Sequence, residues 1–133
     1  MGSTVVVRVY DDPGRAGTEY RVRVDRLWPR GLRKDAVDLD EWLKDAAPST
    51  ALRRWYGHDP ARFDEFARRY GAELAVEPGT SAVSTLHDRA VHYRVVLLTA
   101  TRDVGHSGAE VLRRTLVGEG SSPRARRRGP DEA

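Results

Sequence analysis

The run Val95-Val96-Leu97-Leu98, late in a chain of 133 residues, constrains the fold more than any other feature. A strand that faces water on one side alternates apolar with polar residues. Residues 93–100 hardly alternate at all. Such a run fits an interior strand covered on both faces, the situation of sheets in α/β proteins. It needs a partner strand on either side and packed layers above and below.

Candidate partners lie upstream. Residues 5–10 are a short β-branched apolar run, read as a strand buried on both faces, and Asp11-Asp12-Pro13-Gly14 then signals a turn. Tyr20, Val22 and Val24 alternate with Arg21 and Arg23, the two-residue period of a half-buried strand. The connection between these two strands is short for a helical crossover, so antiparallel pairing is expected.

Helical signals fill the middle. Asp38 followed by Glu41 reads as a capping box opening a helix that bears Leu39, Trp42, Leu43 and Ala46, ended by Pro48. Ser49 or Thr50 caps a short helix with Leu52, Trp55 and Tyr56. Asp59-Pro60 pairs an N-cap with a proline at the first helical position. The helix that follows has Phe63, Phe66, Ala67, Tyr70 and Leu74 on one face, with Gly71 tolerated inside it. Thr80 or Ser81 opens another, striped by Val83, Leu86, Ala90 and Val91. Ser107 with Glu110 forms a further capping box ahead of Ala109, Leu112 and Leu116. Residues 118–133, rich in Gly, Ser, Pro and Arg, read as a disordered basic tail.

The expected architecture is α/β: a small mixed or parallel sheet covered by helices, with room for a Rossmann-like arrangement, in one domain over residues 1–117. This length is enough to remove roughly two-thirds of the unfolded surface from water. The chain has no cysteine, which excludes disulfides, thiolate metal sites and cysteine nucleophiles. No apolar run reaches the roughly 18 residues a membrane span needs, and the start shows no signal-peptide pattern. A cytoplasmic protein without membrane contact is expected; its oligomeric state is left open. Net charge is +3, and the last sixteen residues hold four arginines against Glu119, Asp131 and Glu132. Excess charge alone therefore names no partner. Arg124, Arg126, Arg127 and Arg128 could touch nucleic acid, but no aromatic residue in the tail is there to stack on bases, and a solvated tail is favoured.

One array stands out. Asp25-Arg26-Leu27-Trp28-Pro29-Arg30-Gly31 follows the second strand, then come Trp42-Leu43-Lys44-Asp45, Ala47-Pro48-Ser49, Leu52-Arg53-Arg54-Trp55 and Gly57-His58-Asp59-Pro60. In this order the blocks resemble the YeaO-like branch of the family catalogued as domain of unknown function 488, over about residues 5–117. The resemblance implies a compact α/β fold with shared polar residues gathered at one end of the sheet, and it names no reaction. Arg102, Asp103 and His106 match the family pattern near the end. Thr99 and Ser107 stand where the family tends to have tyrosine and asparagine, so a role needing the phenol or the amide does not carry over.

The chemistry of these residues suggests an anion site. Proline fixes one dihedral of the Arg26-to-Arg30 block and biases Trp28 toward extended backbone, giving a stiff non-helical loop. Two guanidiniums on such a loop suit bidentate capture of phosphate or carboxylate. The competing reading has Arg26 and Arg30 in internal salt bridges with Asp25, Asp40 or Asp45. The loop after the last strand brings Arg102 to a helix start, where free N–H groups attract anions and where open α/β sheets bind ligands. Arg26, Arg30, Lys44 and Arg102 are thus the candidate ligand-binding residues. His58 and His106, with Asp103 as partner of His106, are the candidate catalytic residues, because imidazole titrates near neutrality; a structural role is the alternative for each. A metal site from His58, His106, Asp103 and Asp25 lacks any ligand-spacing motif, and none is expected. Absence of G-x-G-x-x-G, G-K-[ST] and G-x-S-x-G patterns leaves no cofactor to expect. Three functions remain open: a small enzyme or enzyme-like domain acting on a compact anion, a nucleic-acid or protein-binding module, and a sensor that binds a small ligand without turnover.

Overall fold

The all-apolar run becomes an interior strand. In the computed structural model, which describes residues 3–118, the strand β4 (Arg94–Thr99) pairs in parallel with β1 (Thr4–Arg8) on one side and with β2 (Glu19–Arg23) on the other. A two-residue strand, β3 (Glu41–Trp42), adds in parallel beyond β2, giving the order β1-β4-β2-β3. The antiparallel pairing expected for β1 and β2 does not occur. They flank β4, so the chain between them must run back along the sheet and step past one strand. The connection opens with a 3-10 turn at Val9–Asp11, and the seven residues that follow reach roughly 23 Å when extended, so the crossover is made without an α-helix.

Alternation on β4 sends Val95 and Leu97 into one core and Val96 and Leu98 into another. The first is the larger. It receives side chains from all four α-helices: α1 (Thr50–Tyr56), α2 (Phe63–Leu74), α3 (Gly79–His92) and α4 (Gly108–Leu116). The second is covered by irregular chain, with Val9, Leu32, Val37 and Leu39 laid over Val96 and Leu98.

The caps of α1 and of the turn before α2 follow the sequence. Ser49 Oγ accepts from Leu52 N, and the Asp59 side chain accepts from Ala61 N ahead of Pro60. The apolar face of α2 is buried as its spacing predicts, at Phe63, Phe66, Ala67, Tyr70 and Leu74. Helix α3 begins at Gly79, earlier than the expected caps at Thr80 or Ser81. It buries Ala82 and Leu86 and packs Val83 and Ala90 partly buried against the same core, while Val91, next to the helix end at His92, is exposed.

Two further expectations are corrected. No α-helix opens at Asp38; the segment is extended through β3 and then makes a 3-10 turn at Lys44–Ala46. Long-range partners take the groups a capping box would need. The Asp38 carboxylate binds Arg15, Glu41 accepts the Tyr20 hydroxyl, and Asp40 N and Leu43 N donate to Arg21 and Arg23 carbonyls at 2.7 and 2.9 Å. Nor is β2 half-buried. Arg21 and Arg23 are each 1% exposed, covered by the irregular layer. Apart from Gly118, the tail expected at residues 118–133 lies outside the described residues.

Candidate functional site

A cleft of about 480 Å³ opens beyond the carboxyl ends of β2 and β4. One wall is the loop from Asp25 to Arg30, another the start of α1 with Pro48 and Arg53, a third the first turn of α4 with Ser107, Gly108 and Ala109. This is where parallel α/β sheets bind ligands, because the loops leaving the strands diverge there.

Buried ion pairing fixes the loop. Arg23 donates to Asp25 at 2.7 Å and to the Leu27 carbonyl at 2.5 Å, with its guanidinium 5.3 Å from the Trp28 ring centre. Asp25 also accepts from Thr99 Oγ1 at 2.9 Å and from Ala100 N at 2.8 Å, joining the loop to the end of β4. Trp28 Nε1 donates to the Leu32 carbonyl at 2.6 Å. Thr99, at the family's tyrosine position, is thus an internal tie, and Ser107, at its asparagine position, caps α4 by accepting from Glu110 N at 3.1 Å. The reciprocal half of that capping box is missing. Glu110 turns to Arg113 and Arg114, and those guanidinium hydrogen bonds hold its carboxyl below the usual range.

The salt bridges that competed with the anion reading are not formed. Arg26 donates to the Pro48 carbonyl at 3.1 Å and to that of Ala47 at 3.4 Å; Arg30 makes no hydrogen bond or ion pair with any described residue. Asp40 is engaged by Arg15 instead. Arg53, on α1, also lines the cleft without an ion pair among the described residues, and its Nε is buried with no acceptor. A buried donor left in this state costs about 1–3 kcal/mol. Asp25 is the one carboxylate among the lining residues and is matched by Arg23, which leaves Arg26, Arg30 and Arg53 as net positive charge.

Sequence reasoning passed over Arg53 because it reads as the polar side of an amphipathic helix. A signal was present: it lies next to Leu52 and three before Tyr56, both buried, on the border of the apolar stripe. Lys44 does not join the cleft. Its ammonium sits 4.3 Å over the Trp42 ring, where the extended course of the chain carries it.

The remaining candidates gather in an adjoining hollow of about 350 Å³ that shares Tyr56, His58, Ala100 and Thr101 with the cleft and adds Arg102, Asp103 and His106. His58 reaches both from a left-handed backbone (φ 57°), a conformation that histidine tolerates better than most residues. Asp103 Oδ2 lies 2.7 Å from His106 Nδ1, and the His106 ring meets Phe63 edge-on at 5.0 Å. The Tyr56 hydroxyl donates to the His106 carbonyl at 2.5 Å; burial, with the Asp103 and Asp59 charges, pushes that phenol up to about 12. Among the described residues no group of three or more histidine and carboxylate side chains is arranged to hold a metal ion.

A family profile described as "Inactive DUF488-N3 subclade" matches residues 4–129. An uncharacterised protein of Mycobacterium tuberculosis is 47% identical over 113 residues, covering 85% of this chain and 92% of that protein. The uncharacterised protein YeaO of Escherichia coli is also 47% identical, over 105 residues, covering 79% of this chain and 89% of YeaO.

This chain is a YeaO-like member of the DUF488 family.

No solved structure matches it. In this DUF488 protein the family-like blocks converge. Asp25 to Arg30, Pro48, Arg53 and His58 come from four separate motifs and line one cleft.

Proposed function

We propose that the protein binds a compact phosphate- or carboxylate-bearing ligand in this cleft and holds it without turning it over. One observation carries the reading: Arg26, Arg30 and Arg53 line a single cleft, and none has a carboxylate partner among the described residues. Guanidiniums present a planar fork of donors suited to two oxygens of an oxyanion. The word "Inactive" in the description of the matching profile supports retention over reaction. The reading places the protein in the cytoplasm, alongside the small anionic metabolites such a cleft would sample.

A differential-scanning screen of nucleotides, sugar phosphates and organic acids tests it. A hit should raise the melting temperature of the native chain, and Arg30→Ala should weaken binding about 10- to 100-fold, the worth of one charge-assisted hydrogen bond. If no anion in the panel shifts the transition, the reading is wrong. One observation favours a catalytic alternative: the 2.7 Å pair between Asp103 and His106 would orient an imidazole for proton transfer. Turnover of a bound hit that disappears in His106→Gln with binding intact would establish that alternative.

A further inference from the structure

The size and the walls of the cleft narrow the class of ligand, an inference that rests on the anion-binding reading above. A volume of about 480 Å³ falls in the range of about 300–1,000 Å³ that encloses whole organic molecules. Beyond the arginines its walls are largely apolar, with Val24, Pro29, Pro48, Phe66 and Ala109 among them. At the mouth Leu27 is 57% exposed, a large apolar side chain with little covering it, on the same loop as Arg26 and Arg30. A bare oxyanion would leave that surface wet.

The arginines are also unequal. Arg23 is occupied by Asp25 and the Leu27 carbonyl, and Arg26 by the Ala47 and Pro48 carbonyls. Arg30 is exposed. Arg53 alone is both partly buried and without any hydrogen bond or ion pair among the described residues, with its Nε withdrawn from water. The Arg23 Nε is equally without an acceptor, but the terminal nitrogens of Arg23 are held by Asp25 and the Leu27 carbonyl. The whole Arg53 guanidinium, by contrast, is uncommitted among the described residues. Buried donors in native proteins are nearly always satisfied, and this calls for an acceptor from outside. Partial burial also shields a charge from salt, which makes Arg53 a stronger anchor than Arg30.

We propose that the ligand is an oxyanion carried on an apolar, ring-sized body, with its charged group received by Arg53 and its body laid against the apolar wall.

Calorimetric titration of the full chain with two matched pairs, inorganic phosphate against phenyl phosphate and acetate against benzoate, tests this at fixed ionic strength. The ring-bearing member of the binding pair should be at least about tenfold tighter than its bare anion, as burial of one ring implies. Whichever pair responds identifies the charged group. Arg53→Met should abolish binding while the melting temperature holds or rises, because the substitution removes a buried donor that has no acceptor. Arg53→Lys, which keeps the charge without the fork, should bind about tenfold more weakly. Equal affinity for bare and ring-bearing anions sinks this inference and leaves the anion-binding reading standing. Failure of all four to bind sinks both. Unchanged binding in Arg53→Met, or a large fall in melting temperature in both Arg53 variants, removes Arg53 as the anchor.

Discussion

Arginines on the loop-covered face of the sheet and arginines in the cleft have opposite fates. Arg21, 1% exposed, contacts Asp12, Glu19 at 3.0 Å and the Asp38 carbonyl at 2.6 Å, and Asp40 accepts its backbone N–H. Arg15 holds both Asp38 and Asp40, and Arg94 reaches Glu19 at 3.3 Å. Each of these three cations meets a carboxylate, and the pairs of Arg21 with Asp12 and of Arg15 with Asp38 and Asp40 fasten the irregular layer to the sheet. In the cleft, Arg30 and Arg53 are answered by no described residue. The same residue type thus staples the fold in one place and stands open in another. Counting arginines in the sequence could not separate the two.

The comparison is most sharply tested by a matched substitution. Arg21→Met strips a buried cation from Asp12 and Glu19 and should cost about 3–5 kcal/mol, read from chemical denaturation. Arg30→Met should stay within about 0.5 kcal/mol. Equal losses would erase the distinction.

Acid should act on the stapled face next. Burial by itself would raise the Glu19 carboxyl, but the hydrogen bond from Arg21 and the charges of Arg21 and Arg94 hold it below its ordinary value. A carboxyl lowered in the folded state contributes stability above its unfolded value, about 4.3, and loses it as pH falls through the folded one. The urea midpoint should therefore drop below about pH 4.3, and less steeply in Arg21→Met. An identical slope in both proteins would show that Glu19 does not carry the effect.

The smallest expected change is at Lys44. Removing its ammonium from the Trp42 face should cost no more than about 0.5–1 kcal/mol, and ligand binding should not change. A loss of affinity in Lys44→Ala would return that residue to the site.

What the sequence revealed follows the same division. Features set by neighbours along the chain were legible: the apolar face of α2, the caps at Ser49 and Asp59, and the covered run of β4. The stiff loop bearing Arg26 and Arg30 was also placed correctly at the end of a strand. Features set by distant partners were not. Asp38 and Glu41 carry the letters of a capping box, yet Arg15 and Tyr20 claim their side chains and the segment lies along β2 instead. Arg21 and Arg23 look like the outer face of a strand until the irregular layer closes over them. In the site, Arg53 gave away its helix and its stripe, but not the cleft that α1 presents it to.

The interior place of β4 has a consequence for synthesis. Thr4 pairs with Val95 and Glu19 with Arg94, so β1 has no neighbour, and β2 none but the two-residue β3, until most of the chain has left the ribosome. During that interval Val5, Val6 and Val7 are open edge with nothing to bind, the condition in which nascent chains associate wrongly. Pairings of such long sequence separation also close slowly. The sheet is therefore completed in one late step, when the last strand slides between two that have been waiting.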